Sequence, residues 1–299
     1  MVFSLAVKQS SSQILLLCSV LGIASGCHKG NDHTFSDHAR LTPKVVLRDV
    51  SFHSAALNRE MTYRVLMPAA ISPETKLPVA YLLHGGNGGF RDWSNYSDVA
   101  RFAAKDLILV MPEGDESYYT NSAEHPQDRY EDYVVNDLIG DVEARFPVAD
   151  EPGKRAIIGI SMGGFGAVKL VLRHPELFVF AGGLSSAIDV PSRSFSIHRI
   201  GPWRHHASIF GPLGSATRRE NDPFLPARSA NPAKTPYFFL TCGDQEGLLP
   251  ANRSFAKLLQ ERGFKYEFHV VSGGHHWHEW NAQLEAMFHS LWQHLATEH

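Results

Sequence analysis

The chain has few cysteines, three in 299 residues. Cys18 lies in an apolar run near the N-terminus and Cys27 follows that run directly, so only Cys242 belongs to the predicted folded region. A single cysteine cannot form an internal disulfide, and the sequence has no C-x-x-C pair. A bridge between Cys27 and Cys242 is disfavoured, because residues 28–44 are polar and would not hold Cys27 in place. We therefore expect neither a disulfide framework nor a cysteine-based zinc site.

The sequence also lacks an excess of positive charge. Its formal net charge is -3, which excludes the class of proteins that bind nucleic acid by neutralising phosphates. Hydrophobic residues make up 43% and charged residues 20%, which is ordinary for a globular protein. The sequence shows no internal repeat, and its length suits one α/β domain after an N-terminal leader.

The longest apolar run near the N-terminus, Ile14–Ala24, is shorter than the ~20 residues of a membrane-spanning helix. It matches the apolar core of a signal peptide. The run ends at Ser25-Gly26 before Cys27, which resembles a bacterial lipoprotein box. The sequence therefore predicts a signal peptide of the lipoprotein type over residues 1–27. The alternative is a plain secretory signal cut near Ser25 or Gly26. In either case we expect an exported protein. The lipoprotein signal would anchor it to a membrane through a lipid on Cys27 alone, and the plain signal would leave it periplasmic or secreted.

Residues 28–44 are predicted to be a linker, and residues 45–299 to form one domain. The domain begins with an antiparallel hairpin, Val45–His53 and Met61–Pro68, followed by continuous apolar runs typical of buried parallel strands. These runs are Val79–Leu83, Leu107–Met111, Arg155–Ile160, Phe178–Leu184, Tyr237–Thr241 and Tyr266–Val271. Helical patterns separate most of them, at Tyr130–Phe146, Gly163–His174, Asn252–Arg262 and Trp277–Ala296. This alternation predicts an α/β protein with a doubly wound, mostly parallel sheet.

One long stretch, Ser186–Lys234, breaks the alternation after the sixth predicted strand. It is rich in proline and glycine and has no clear period. Irregular segments of this length in a compact domain are usually functional or contain short helices of their own. We expect an insertion of the lid or cap type.

The chemistry-bearing motif is Gly159-Ile160-Ser161-Met162-Gly163, which fits G-x-S-x-G. An apolar strand precedes it and a helix follows, the context of a nucleophilic serine on a tight turn. Side chains at the two flanking glycines would collide with neighbouring elements. A glycine-rich turn that binds an anion, or nothing, is the structural alternative.

A serine hydroxyl needs a base to take its proton. Gly273-Gly274-His275-His276-Trp277 lies between the last strand and the last helix, where hydrolases of this type place the base. His275 is favoured over His276 because two glycines precede it and allow a sharp turn. Metal binding by His275, His276 and His278 is a minor alternative, since no second cluster supports it.

The acid is expected after the seventh strand, where Asp244 and Glu246 are both candidates. Either carboxylate could accept the imidazole N–H and fix its tautomer. The oxyanion of the tetrahedral intermediate needs two N–H donors. We expect them from Met162, which follows the nucleophile, and from Gly86 in the loop after the third strand.

These motifs together resemble an esterase family that includes S-formylglutathione hydrolases, feruloyl and acetyl-xylan esterases, and the antigen 85 mycolyltransferases. The resemblance covers about residues 45–295. It rests on the segments Tyr81–Gly86, Ser117–Asn121, Gly159–Gly164, Cys242-Gly243, Leu248–Arg253 and Gly273–Trp277.

The resemblance implies an α/β-hydrolase fold, with helices on both faces of the sheet and an insertion after strand 6. It implies a serine esterase with Ser161 as nucleophile and His275 as base. Glu246 stands where this family usually has its catalytic aspartate, which favours Glu246 over Asp244. The oxyanion donors map to Gly86 and Met162, and no cofactor or metal is implied.

The resemblance is weaker for the substrate. S-formylglutathione hydrolases are cytosolic, so the export signal argues against such a thioesterase. A surface esterase that removes acetyl or feruloyl groups from carbohydrate is favoured. Acyl transfer of the mycolyltransferase type, and a non-catalytic binding protein on a hydrolase scaffold, are the alternatives. Trp93, Tyr96, Tyr118, Tyr119, Trp203 and Trp277 are candidates for stacking on a sugar or an aromatic acyl group. Most aromatics in such a composition belong to the core, and only for Trp203, in the irregular segment, are the two interpretations equally favoured.

Overall fold

We analysed a computed structural model, which describes residues 37–193 and 200–295. The predicted signal peptide 1–27, residues 28–36 of the predicted linker, and Cys27 lie outside these residues. Within the described part of the chain, no helix has the length and apolar character needed to cross a membrane.

The domain is built on one eight-stranded sheet with the order β1-β2-β4-β3-β5-β6-β7-β8. β1 and β2 form the predicted hairpin, β2 also pairs antiparallel with β4, and every other pair is parallel. The strands are β1 Val45–Ser54, β2 Arg59–Pro68, β3 Val79–Leu83, β4 Ile108–Pro112, β5 Arg155–Ile160, β6 Phe180–Leu184, β7 Tyr237–Gly243 and β8 Tyr266–Val271. The predicted mostly parallel sheet is confirmed.

Helices cover both faces of the sheet. Successive residues of a strand point to opposite faces, so Tyr81 and Leu83 belong to one buried cluster while Ala80 and Leu82 belong to the other. This division explains why the strands read as continuous apolar runs. The α-helices are α1 Asp92–Tyr96, α2 Ala100–Ala103, α3 Tyr130–Asp132, α4 Ile139–Arg145, α5 Met162–Arg173, α6 Ile200–Phe210, α7 Ala216–Glu220, α8 Phe224–Ser229, α9 Leu249–Arg262 and α10 Trp277–Leu295.

The helix predicted over Tyr130–Phe146 has an unexpected interior. Between α3 and α4 the chain forms a π-helix over Tyr133–Leu138. Five apolar residues of the Tyr130–Phe146 segment recur every fourth position, a longer spacing than the 3.6 residues of an α-helical turn. The wider turn of the π-helix compensates for this difference and keeps them on one face of the segment. All five are buried: Tyr130, Val134, Leu138, Val142 and Phe146.

Residues 37–44 differ from the predicted linker, because they lie against the domain. The guanidinium of Arg64 in β2 is fully buried and forms ion pairs with Asp37 at 2.5 Å and with Asp49 at 2.7 Å. A buried charge needs such partners. The Arg40 backbone N–H also donates to Ser94 O. The buried charge of Arg64 in β2 therefore holds residues 37–44 against the domain, although their polar composition predicted a flexible linker.

The insertion between β6 and β7 contains short helices, as predicted. Besides α6, α7 and α8, its described residues form 3₁₀ turns at Val190–Ser192 and Pro232–Lys234. The ring of Phe210 in α6 contacts Phe165 of α5 and Tyr118, so the insertion packs beside the helix that follows Ser161.

Candidate active site

The carboxyl ends of the parallel strands bring the predicted site residues together. Ser161 follows β5, Glu246 follows β7, His275 follows β8, and the loop with Gly86 follows β3. Parallel strands end at the same edge of the sheet, which is where α/β proteins bind their ligands. The strand order places β3, β5, β6, β7 and β8 side by side.

Ser161 occupies a strained turn between β5 and α5. Its φ of 52° and ψ of -111° lie outside the usual regions for a residue with a side chain. A Cβ at Gly159 would lie 2.1 Å from Gly163 C, and a Cβ at Gly163 would lie 2.3 Å from Leu83 O. Both obstacles are backbone atoms, so the turn requires glycine at both positions.

Two hydrogen bonds connect Ser161, His275 and Glu246. The distance from His275 Nε2 to Ser161 Oγ is 2.8 Å, and the distance from His275 Nδ1 to Glu246 Oε2 is 2.6 Å. Ser161 is half-buried and His275 is exposed, whereas the carboxylate of Glu246 is buried. With Nδ1 donating to the carboxylate, Nε2 is an acceptor for the serine proton.

The structure distinguishes Glu246 from Asp244. Burial alone would raise the pKa of Glu246, but hydrogen bonds from His275, from the Ser185 hydroxyl and from Gly243 N–H outweigh it and lower that pKa. Asp244 is exposed and does not contact His275; it accepts from Gly273 N at 3.0 Å instead. Asp244 thus supports the loop that carries the histidine.

The neighbouring histidines lie apart from Ser161. His276 and His278 are exposed, and His278 lies in the first turn of α10, as expected. In the described residues, no three His, Cys, Asp or Glu side chains are grouped so that they could hold a metal ion. Gly273 has a φ of +123°, a conformation that gives the turn before His275 and that glycine adopts readily.

The loop after β3 lies directly against the nucleophile. A Cβ at Gly85 would be 3.5 Å from Ser161 Cβ. Met162 is the first residue of α5, where backbone N–H groups have no acceptor within the helix. Two hydrogen bonds to His84 hold the start of this loop in place. His84 Nε2 accepts from Gly114 N at 2.9 Å, and His84 O accepts from the Tyr119 hydroxyl at 3.1 Å.

Two side chains from the Glu113–Asn121 loop fill the space that glycines leave. The Glu116 carboxylate accepts from Asn87 N and lies 3.2 Å from where a Cβ of Gly86 would be. The ring of Tyr119 is fully buried between two glycines: a Cβ at Gly114 or Gly166 would lie 2.4 or 2.6 Å from it. The loop that carries Gly86 is therefore fixed by close packing.

Aromatic side chains form a series that begins at His275: Trp280 contacts the imidazole, Trp277 contacts Trp280, and Tyr96 contacts Trp277. Tyr96 is exposed and its ring lies 5.7 Å from the half-buried ring of Trp277, two residues after His275. Trp93 and Tyr119, by contrast, are buried in the core. Tyr96 and Trp277 therefore remain accessible.

Tyr118 and His206 form a second polar pair, where the insertion meets the Glu113–Asn121 loop. The Tyr118 hydroxyl lies 3.1 Å from His206 Nε2. Burial, aided by the positive charge of Arg193, lowers the pKa of His206 to about 4, and burial raises the pKa of Tyr118 to about 12. Both side chains are therefore neutral near pH 7, and the hydroxyl can donate to the imidazole.

A sequence profile of the family described as "Putative esterase" matches residues 54–291. The chain belongs to this esterase family. It is similar to an acetyl esterase of Caldicellulosiruptor saccharolyticus, with 24% identity over 82% of this chain and 97% of the relative. It is also 24% identical, over 83% of its length, to an endo-1,4-beta-xylanase/feruloyl esterase of Xylanibacter ruminicola, of which the match covers 31%.

Among solved structures, the fold matches the fluorophosphonate-binding serine hydrolase F of Staphylococcus aureus with a TM-score of 0.72. The identity is 23%, and the match covers 85% of this chain and 99% of that one. This likeness establishes the α/β-hydrolase fold. Membership of the esterase family makes the protein a carboxylic ester hydrolase.

Sequence reasoning missed three residues that contact the site: Ser185, Trp280 and Glu116. Ser185 directly follows β6, at the same edge as the other site residues, and this position was the available signal. Trp280 and Glu116 carried no comparable signal, because an aromatic in an amphipathic helix and an acidic residue in a loop are both common.

Proposed function

We propose that this esterase is a serine hydrolase in which Ser161 is the nucleophile, His275 the general base and Glu246 the acid. The observation that carries the proposal is the pair of short hydrogen bonds joining the three side chains. The strained turn at Ser161 supports it, because backbone strain at a residue with a reactive side chain is typical of catalytic sites.

The reaction proceeds through an acyl-enzyme. Ser161 Oγ attacks the ester carbonyl while His275 Nε2 takes the hydroxyl proton. The resulting oxyanion is held by the backbone N–H groups of Gly86 and Met162. Collapse of this intermediate expels the alcohol, which receives the proton from His275. Water then attacks the acyl group, again with His275 as base, and the carboxylic acid leaves. Glu246 holds the imidazole in position and stabilises its charged form.

We propose an acylated carbohydrate, with acetyl or feruloyl esters, as the substrate class. The Tyr96–Trp277 pair supports this, because the two rings are accessible, are connected to His275 through Trp280, and give an aromatic surface on which a sugar can stack. Similarity to an acetyl esterase and to a protein named as a feruloyl esterase points the same way.

We also propose that the protein acts outside the cytoplasm, anchored by a lipid on Cys27. The apolar run Ile14–Ala24 and the small residues before Cys27 support this. Labelling with radioactive palmitate in a bacterial host tests it. The wild-type chain should carry the label in the membrane fraction, and Cys27→Ala should not. Unlabelled wild type in the soluble exported fraction would favour the plain secretory signal.

The proposed chemistry is tested by hydrolysis of p-nitrophenyl acetate and butyrate, using the chain without residues 1–27. Ser161→Ala, His275→Ala and Glu246→Ala should each lose several orders of magnitude in kcat. Asp244→Ala is the matched comparison: it removes the neighbouring carboxylate, which is bonded to Gly273 N and not to the imidazole, so its loss of kcat should be far smaller than that of Glu246→Ala.

Two further measurements separate the alternatives. A fluorophosphonate probe should label wild type and not Ser161→Ala; an unlabelled, folded wild type would favour a non-catalytic binding protein. If the enzyme is active, a sugar added during turnover offers its hydroxyl groups as acyl acceptors. The products then measure how the acyl group is divided between water and the sugar. Free carboxylic acid as the main product supports hydrolysis, whereas a new sugar ester as the main product indicates an acyltransferase.

A further inference from the structure

The carboxylate of Glu246 makes contacts beyond the bond to His275. Its Oε1 accepts from the Ser185 hydroxyl at 2.6 Å and from Gly243 N at 2.8 Å, while its Oε2 accepts from His275. Hydrogen bonds to both oxygens fix the rotation of the carboxylate about its last bond. The Gly243 bond comes from the same turn as Glu246, but Ser185 reaches across from the neighbouring strand end.

The Ser185 hydroxyl is itself held by Trp280. The indole N–H of Trp280 donates to Ser185 Oγ at 3.0 Å. Ser185 is 2% exposed and Trp280 is 7% exposed, so water does not compete for these bonds. The Ser185 hydroxyl accepts from the indole N–H and therefore donates its own hydrogen to another acceptor, Glu246 Oε1. The donor-to-acceptor direction of both bonds is thus fixed, from Trp280 to Ser185 and from Ser185 to Glu246.

Trp280 also touches the base directly. Its ring meets the imidazole of His275 edge to face, with centroids 4.9 Å apart and an interplanar angle of 89°. One residue of α10 thus contacts His275 and, through Ser185, orients the carboxylate to which His275 is bonded.

The backbone of Ser185 is strained. Its φ is 50°, in the left-handed region that residues with a side chain rarely adopt. Its N–H is bonded to Thr241 O at 2.8 Å, which holds the residue at the end of β6 beside β7. Strain of this kind persists only where the surrounding structure enforces it, and it clusters at functional sites.

We propose that Ser185 and Trp280 are positioning residues of this esterase, which hold Glu246 so that Oε2 faces His275. The inference rests on the proposed function, because it assigns a task to the acid of that mechanism. The carboxylate of a glutamate can turn about its last side-chain bond, and the bond from Ser185, itself held by Trp280, restricts that rotation.

The test compares Ser185→Ala, Trp280→Phe and the double variant in hydrolysis of p-nitrophenyl acetate. Phenylalanine keeps an aromatic ring at this position and removes the indole N–H, at the cost of some buried volume. Ser290→Ala is the matched control: Ser290 is also buried, lies in α10 like Trp280, and donates to a glutamate, Glu267, at 2.7 Å. It removes an equivalent serine–glutamate bond away from the site.

Ser185→Ala should lower kcat roughly ten- to hundredfold, the range that a hydrogen bond to a charged group is worth, with KM little changed. Trp280→Phe should lower it less. Because Trp280 acts through Ser185, the double variant should match Ser185→Ala within about twofold, whereas independent effects would multiply. Ser290→Ala should keep wild-type kcat.

The split between kcat and KM separates positioning from a general loss of structure. Displacement of Glu246 weakens the proton transfer and leaves the substrate contacts in place, so kcat should fall in Ser185→Ala while KM stays within about twofold of wild type. A KM that rises as kcat falls, together with multiplicative effects, would overturn the proposal, as would wild-type kcat in both single variants. An inactive wild type, or an active Ser161→Ala, would instead overturn the proposed function. If Ser185→Ala does not fold, the kcat and KM of Trp280→Phe decide alone.

Discussion

Replacing Gly163 by alanine should lower kcat strongly, because the added methyl group collides with backbone atoms next to the site. A Cβ at this position would lie 2.3 Å from Leu83 O and 2.6 Å from His84 O, whereas ordinary contacts begin at 3.4 Å. The chain must open by about 1 Å at the point where β5 turns into α5. Leu83 and His84 lead into the loop with Gly86, and Gly163 is two residues from Ser161. The substitution therefore moves the nucleophile and the proposed oxyanion loop apart.

The size of the effect follows from that displacement. Overpacking in a rigid interior typically costs ~1–3 kcal/mol of unfolding free energy. A misplacement of about 1 Å between reacting groups can cost roughly 100-fold in rate. We therefore expect Gly163→Ala to lose about two orders of magnitude in kcat while remaining folded or nearly so.

Gly140→Ala is the control for this experiment. Gly140 lies in α4, is exposed, and has open space around the position of a Cβ. Alanine there should raise the free energy of unfolding by about 0.5–1 kcal/mol and leave kcat unchanged. Urea denaturation and p-nitrophenyl acetate hydrolysis measure both quantities. Wild-type kcat and stability in Gly163→Ala would refute the argument, because they would mean that the turn relaxes without separating the two groups.

Three other predictions concern side chains at or near the site. Glu246→Asp shortens the side chain by about 1.5 Å and should lower kcat at least about tenfold; an unchanged kcat would mean that the loop moves to compensate. Glu131→Gln should cost ~3–5 kcal/mol of unfolding free energy in urea titrations, because it leaves the buried ammonium of Lys169 without its charge partner at 2.8 Å. Burial alone would raise the pKa of Glu131, but Lys169, His174 and Arg173 hold that pKa far below 4.5. The carboxylate therefore stabilises the fold fully above about pH 4.5, and this contribution should decline at lower pH in wild type but not in Glu131→Gln. Burial, with the nearby charge of Glu246, raises the pKa of the Cys242 thiol to about 12; in the chain without residues 1–27, a thiol reagent should react only after unfolding, and fast reaction of folded protein would contradict this burial.

The positions of the strands along the chain could be predicted because the sequence marks them strongly. Runs such as Val79–Leu83 are apolar throughout, as a strand buried on both faces requires. The tight turns at Ser161 and before His275 could be predicted for a related reason, since Gly159, Gly163 and Gly273 stand where the backbone favours glycine.

The parts that could not be predicted depend on partners distant in sequence. The residues alone leave Glu246 and Asp244 both open, and only the resemblance favours Glu246, because the contact with His275 depends on how the turn after β7 folds. Residues 37–44 are predicted to be a linker because their own sequence is polar. The buried Arg64, which pairs with Asp37 and holds them against the domain, lies in another element. Ser185 is an ordinary serine in the sequence and gains its role only from Trp280, 95 residues later.

The packing of Tyr119 between Gly114 and Gly166 has an evolutionary consequence. The three positions share one volume, so a side chain larger than hydrogen at either glycine is compatible only with a smaller residue in place of the tyrosine. A single substitution at one of the three positions would therefore leave either a steric clash or an unfilled cavity. Among homologues, we therefore expect these positions to covary as a set, and a family tree should show their changes clustered on the same branches.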